Sequence, residues 1–422
     1  MRENARIAYR YSSSEKFLVG YLVFKIFWSF FTNFSFWYGG ALIHLLGERF
    51  TLLTDIGLWM SYFLCVSVKS TITTKQDTRN AIVYVAILIT IWLLTLLNSG
   101  IAENNLIVYA FNGFVIIGIR DELKLKCFDG FVKVLAIMLI PAAVEYVIYE
   151  LTGVGIITAS NIQRGTYDLY VDQLLFNFVY TNYPIQRFQM LTEEPGLLGT
   201  CCAFLIFALR GKPQYRFQYV VFIIAGLLTF SFAFYIMLVV HLATSGIKGG
   251  YVLLFVVVGS LFYLYFKDAI DVMISYRIES RDGADEMFGR SSYELDKAVD
   301  NAWKNGDLWF GHAVQVGEGQ AGYKVWIWMY GLIGLFLLFV YYLKYYLNKI
   351  KSLKASFFPC VLFFLVFWAS FYQRQYIMYL DYLVVVLSIP ALNSSLDYVI
   401  ADSPNKLSKT STRPRLFNFI KK

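Results

Sequence analysis

Residues 81–98 read AIVYVAILITIWLLTLLN, eighteen positions without one Asp, Glu, Lys or Arg. Wound as an α-helix this stretch is about 27 Å long, close to the roughly 30 Å hydrocarbon core of a bilayer. It is far too long for a strand and carries no polar stripe, so it reads as a membrane-spanning helix. Working outward, similar runs recur at 17–38, 50–68, 106–119, 131–152, 193–209, 217–230, 232–246, 250–266, 323–343, 356–371 and 376–392. The predicted fold class is therefore all-α, a polytopic integral membrane protein with about twelve transmembrane helices forming one domain over 1–422. Runs 106–119, 217–230 and 232–246 are short for a bilayer and are expected as tilted partners or half-helices. The first run has no small-residue cleavage pattern after it, so it is expected to remain as a helix.

Composition points the same way: 58% hydrophobic, 19% aromatic, 16% charged, with a mean hydropathy of +0.54. A soluble chain carries about 25% charged residues. With a cytoplasmic N-terminus, inner segments hold 24 of the 37 lysines and arginines and outer segments 11, while Lys25 and Lys133 fall within spans. Seven of the outer charges sit in one long stretch, where the positive-inside rule has least force. Both termini then read as cytoplasmic. Two large loops, 153–192 and 267–322, read as external, and 393–422 as a basic inner tail touching anionic lipid. The net charge of +8 is read as inner-leaflet anchoring, which argues against nucleic acid as a partner.

Cys65, Cys201, Cys202 and Cys360 fall in spans and Cys127 on an inner loop, so the outer loops have no disulfide framework and no thiolate metal site. His44, His241 and His312 lack ligand spacing; no metal and no cofactor are expected. Of the ionisable residues placed in spans, Lys25 and Glu145 are expected to face the bundle interior or snorkel, and Glu150 to lie near an interface.

Chemistry is concentrated in the two external loops. The first ends in Arg187 followed by Glu193-Glu194-Pro195-Gly196, where proline and acids suit the start of a helix. The second carries Arg277, Arg281 and Arg290, whose guanidinium forks match phosphate oxygens. Its middle, 287–303, has Leu295, Ala298, Val299 and Ala302 at helical spacing and reads as an amphipathic helix lying as a lid over a pocket. Trp309-Phe310-Gly311-His312 then reads as a turn. Thr229-Phe230-Ser231 separates two of the short runs and gains interest only if those half-length helices line a cavity.

In order along the chain, Arg187…Glu194-Pro195-Gly196-Leu197-Leu198-Gly199, Leu227-Leu228-Thr229-Phe230-Ser231, Arg290…Trp309-Phe310-Gly311 and Tyr330-Gly331-Leu332-Ile333-Gly334 resemble the O-antigen polymerases (Wzy) of the O-antigen ligase/polymerase superfamily. The resemblance covers roughly 180–335 in motif and the whole chain in topology. Related ligases carry a His-Asn pair just before the span matching 323–343, and this chain has Gly322-Tyr323-Lys324 there. The resemblance implies a glycosyltransferase-C-like enzyme at the periplasmic face of the bacterial inner membrane. It would join undecaprenyl-pyrophosphate-linked repeat units into a polysaccharide, with a chain-length regulator as a further partner. Arg187 and Arg290, with Arg277 and Arg281 as weaker members, would bind the pyrophosphate. Glu194, or else His312, would be the base, and Tyr293 and Trp303 would line the sugar. An O-antigen ligase and a polysaccharide flippase are the alternative readings; a flippase would place charges inside helices and have short loops.

Overall fold

The computed structural model describes residues 12–30, 41–68, 72–164, 169–180, 186–190, 192, 195–245, 267, 293–313, 322–371 and 377–394. They are mostly helical: α1 (Ser13–Phe30), α2 (Ala41–Val68), α3 (Lys75–Ser99), α4 (Asn105–Gly118), α5 (Asp121–Thr152), α6 (Pro195–Leu209), α7 (Arg216–Leu228), α8 (Phe232–Thr244), α9 (Tyr293–Asn305), α10 (Gly322–Ser352), α11 (Phe357–Ser370) and α12 (Leu380–Leu392). Every helix except α9 falls on a predicted apolar run; the run 250–266 lies outside the described residues. By length and composition four helices can cross a membrane: α3, α5, α10 and the Thr51–Val68 part of α2. Helices α4, α6, α8, α11 and α12 are apolar but shorter.

The bundle is apolar outside as well as inside, as a membrane protein requires. Leu97 and Leu151 are 81% and 79% exposed, which suits a surface bathed in lipid. At the centre, α12 is buried from Leu380 to Ala391 and α6 from Pro195 to Leu209. A helix apolar all round belongs in the middle of a bundle.

A three-stranded antiparallel sheet, β1 (Ile157–Arg164), β2 (Leu169–Leu174) and β3 (Phe178–Tyr180), stands in the predicted first loop, which corrects the all-α expectation locally. Glu145 of α5 tethers it. Its carboxylate accepts the backbone N–H of Leu175 at 3.0 Å, that of Phe176 at 2.8 Å and the Asn177 Nδ2 amide at 2.8 Å. Glu145 thus does not snorkel into lipid; it closes the β2–β3 turn. The end of the bundle carrying this sheet, α9 and the starts of α6 and α12 is called the loop end below.

The opposite end departs from expectation more sharply. Residues 120–130, read as an inner loop because of their charges, belong almost entirely to α5, and Cys127 is buried within it. The charges are neutralised by one another. Lys349 Nζ lies 2.7 Å from Asp77 Oδ1 and 2.7 Å from Asp121 Oδ2, and Lys124 Nζ lies 3.3 Å from Asp77 and 3.4 Å from Asp121. Two cations and two anions are thereby buried as a neutral group joining α3, α5 and α10. Lys124 and Lys349 are therefore not inner-leaflet anchors. A second buried pair, Lys25 with Asp55 at 2.9 Å, links α1 to α2, and Asn112 Nδ2 donates to the same Asp55 oxygen at 2.9 Å. Lys25 faces the bundle interior, as predicted.

Candidate functional site

Helices α7 and α8 have thirteen residues each, about 20 Å, too short to cross a bilayer of about 30 Å singly. Their junction is non-helical backbone with Thr229 and Ser231 buried, where a carbonyl needs an internal partner. Arg187 supplies it: Nε donates to Thr229 O and Nη2 to Phe230 O, both at 3.1 Å. Phe230 has φ +47°, a strained value for a bulky residue, which the fixed carbonyls on either side enforce. Beside Arg187 the chain plugs the bundle. Phe188, Gln189, Met190 and Thr192 are all fully buried, and Tyr146 OH donates to Gln186 O at 2.8 Å.

Gly199 completes this contact. A Cβ on it would lie 2.6 Å from Ser231 Cβ and 2.8 Å from Thr229 Oγ1, so only glycine lets α6 approach the turn. Two motifs far apart in sequence, 187–199 and 227–231, are thus one packed unit.

The other two motifs meet in the same manner. Helix α10 is broken at Gly331 (φ +76°, ψ +161°), and Gly311 opposite has φ +77°. A Cβ on Gly311 would lie 2.7 Å from Gly331 N, and one on Gly331 would lie 2.7 Å from Phe310 C. The carbonyls freed by the break are taken up by the incoming loop: His312 N–H donates to Trp328 O at 2.8 Å and Ala313 N–H to Met329 O at 3.2 Å. Asn98 Nδ2 of α3 donates to Gly311 O at 2.8 Å. The His312 ring stacks on Trp328 with centroids 3.9 Å apart and planes within 3°, and its Nδ1 is buried without a hydrogen-bond partner.

The predicted amphipathic helix is α9, running to Asn305. It sits on the first turn of α10 through Asp296 and Lys324, 2.5 Å apart, with Leu295, Ala302 and Leu308 buried beneath. Tyr293 opens this helix, and Trp303 is 67% exposed on its outer side.

Among the sequence candidates, then, the structure brings Arg187 to the α7–α8 turn and His312 to the α10 break, and leaves Trp303 on the surface. Glu194, Arg277, Arg281 and Arg290 lie outside the described residues. At the start of helix α12, Tyr379 pairs with Tyr109 of α4 at 5.4 Å, and Tyr382 meets Phe204 of α6 edge-on at 5.6 Å. Two groups escaped the sequence, the Lys–Asp cluster and a buried carboxylate, Asp381, in the first turn of α12. Only the i,i+3 spacing of Asp121 and Lys124 hinted at the first. Among the described residues no group of His, Cys, Asp and Glu is arranged to hold a metal ion. No protein-family model, no curated protein and no solved structure matches the chain.

Proposed function

We propose that this protein is an O-antigen polymerase, a twelve-span glycosyltransferase of the bacterial inner membrane with both termini cytoplasmic. One observation carries the reading. The described residues of the four stretches on which the resemblance rests meet as two pairs, Arg187 and Gly199 on the Thr229–Ser231 turn and Gly311 on Gly331. A chance likeness scattered along the sequence has no reason to close on itself in space.

In this reading the loop end faces the periplasm. The donor is a growing saccharide on undecaprenyl pyrophosphate and the acceptor a single lipid-linked repeat unit. An acceptor hydroxyl attacks the anomeric carbon, the bond from that carbon to the pyrophosphate oxygen breaks, and a base takes the hydroxyl proton. Negative charge grows on the leaving pyrophosphate, which Arg187 and Arg290 stabilise, with Arg277 and Arg281 beside them. The hydrogen bonds from Arg187 to the turn hold its guanidinium in a fixed position, as a preorganised clamp requires. Tyr293 and Trp303 offer aromatic faces to the sugar, and the exposure of Trp303 supports that role. Glu194 and His312 are the bases that the sequence offers.

Deleting the gene and running the lipopolysaccharide on a gel tests the reading. Loss of a polymerase leaves core plus one repeat; bare core rejects the proposal. The buried charges of Lys25, Asp55, Lys124 and Lys349 favour a second reading, a flippase for lipid-linked saccharides. The same gel separates the two, because flippase loss leaves bare core.

A further inference from the structure

Six carboxylates are buried among the described residues: Glu15, Asp55, Asp77, Asp121, Asp129 and Asp381. Five have a cation within ion-pair distance. Glu15 meets Arg120 at 2.6 Å, Asp55 meets Lys25 at 2.9 Å, Asp129 meets Lys133 at 2.9 Å, and Asp77 and Asp121 share Lys124 and Lys349. Asp381 is the exception. It is 5% exposed, and no Lys, Arg or His among the described residues pairs with it.

An unpaired carboxylate in a bundle interior is costly to keep, and intramembrane ionisable residues mark function by default. Each of the other five has a cation beside it to offset its burial. Among the described residues Asp381 has no such cation. Tyr379 and Tyr382 flank it on its own segment, Tyr379 pairing with Tyr109 of α4 at 5.4 Å and Tyr382 with Phe204 of α6 at 5.6 Å. The location fits a reactive group. Tyr382, the next residue, packs on Phe204 of α6, the helix whose Gly199 is seated on the turn that Arg187 holds.

We infer that Asp381 is a proton-binding site at the loop end of the bundle and, resting on the polymerase reading above, the base for the acceptor hydroxyl in place of Glu194 or His312. The balance is simple. The acceptor O–H bond breaks, the oxygen forms its bond to the anomeric carbon, the carbon–pyrophosphate bond breaks, and the proton moves onto an Asp381 oxygen.

Two measurements on the full-length protein test this. In the deletion strain, Asp381→Asn, which keeps the shape and removes a buried charge, should accumulate and melt as the wild type yet make at least about a hundredfold less long-chain polysaccharide. Asp381→Glu should restore part of the ladder. A wild-type ladder from Asp381→Asn overturns the assignment and returns the base to Glu194 or His312. If the Asn variant fails to accumulate, the Glu variant decides: a ladder whose dependence on medium pH is displaced supports the proposal, and an unchanged profile, or no ladder from an accumulated, folded Glu variant, overturns it. Infrared difference spectra of purified protein across a pH step stand apart from the polymerase reading. The protonated-carboxyl band of the wild type should vanish in Asp381→Asn, and its persistence, or its absence from the wild type, rejects the proton site even if the deletion gel has already removed the polymerase.

Discussion

The guanidinium of Arg187 and the carbonyl of Thr229 are joined by a 3.1 Å hydrogen bond across forty-two residues of sequence. The segment leading into α6 thereby supplies the partner that a helix junction lacks. Lysine at 187 cannot donate from two fixed nitrogens in one plane, so Arg187→Lys should keep the charge and lose the turn. In a background without the five native cysteines, Ser231→Cys should be unreactive to a polar maleimide, because Ser231 is buried. Adding Arg187→Lys should make it reactive. Continued protection would show that the turn stands without Arg187.

The paired glycines give a second expectation. Gly311→Ala or Gly331→Ala brings a methyl against opposing backbone at a positive φ, and each should cost about 2 kcal/mol or more. Thermal melting in detergent reads this directly. The double variant should be no better than either single, since each methyl meets the other strand's backbone and not the other methyl. Wild-type melting of either single variant would contradict the described contact.

Lys349→Met leaves Asp77 and Asp121 with Lys124 alone. Breaking a buried ionic group by removing one partner typically costs about 3–5 kcal/mol. A marked fall in melting temperature is expected, partly recovered by Asp121→Asn in the same chain. Equal melting of Lys349→Met and wild type would mean that the cluster is not closed in the membrane.

Glu145→Ala should free the β2–β3 turn while leaving α5 intact. The loss of three hydrogen bonds from one carboxylate predicts faster protease cleavage around 175–177 with little change in helix content by circular dichroism. Cleavage at the wild-type rate would mean that the sheet is held by other contacts.

Much of the fold was legible because hydropathy is a local property. Apolar runs such as 81–98 and 380–392 cannot avoid burial or lipid, and each became a helix. Helix ends were misplaced where charges compensate in three dimensions. Residues 120–130 look like a solvated loop until Lys124 and Asp121 meet Lys349, which is 228 residues from Asp121. The half-length of α7 and α8 could be read from 217–230 and 232–246, but not what satisfies the buried turn between them. That group is Arg187, whose partners are main-chain atoms and leave no mark on sequence at 229 and 230. His312 and Arg187 were marked by residue type and found at breaks in helices, whereas Asp381 was hidden in an apolar run, its significance visible only once the ion pairs of the other buried carboxylates could be compared.

The buried Lys–Asp cluster also bears on how the chain is assembled. At the loop end His312 bonds to Trp328 and Arg187 to Thr229 over much shorter stretches of chain. At the other end Lys349 reaches Asp77 across 272 residues. A chain emerging from the ribosome can complete the α7–α8 turn while Lys349 is still unmade. Until it arrives, Asp77 and Asp121 share Lys124 alone and carry an uncompensated negative charge. The neutral group is thus completed late in the chain, by a residue whose arrival cancels the charge left on Asp77 and Asp121.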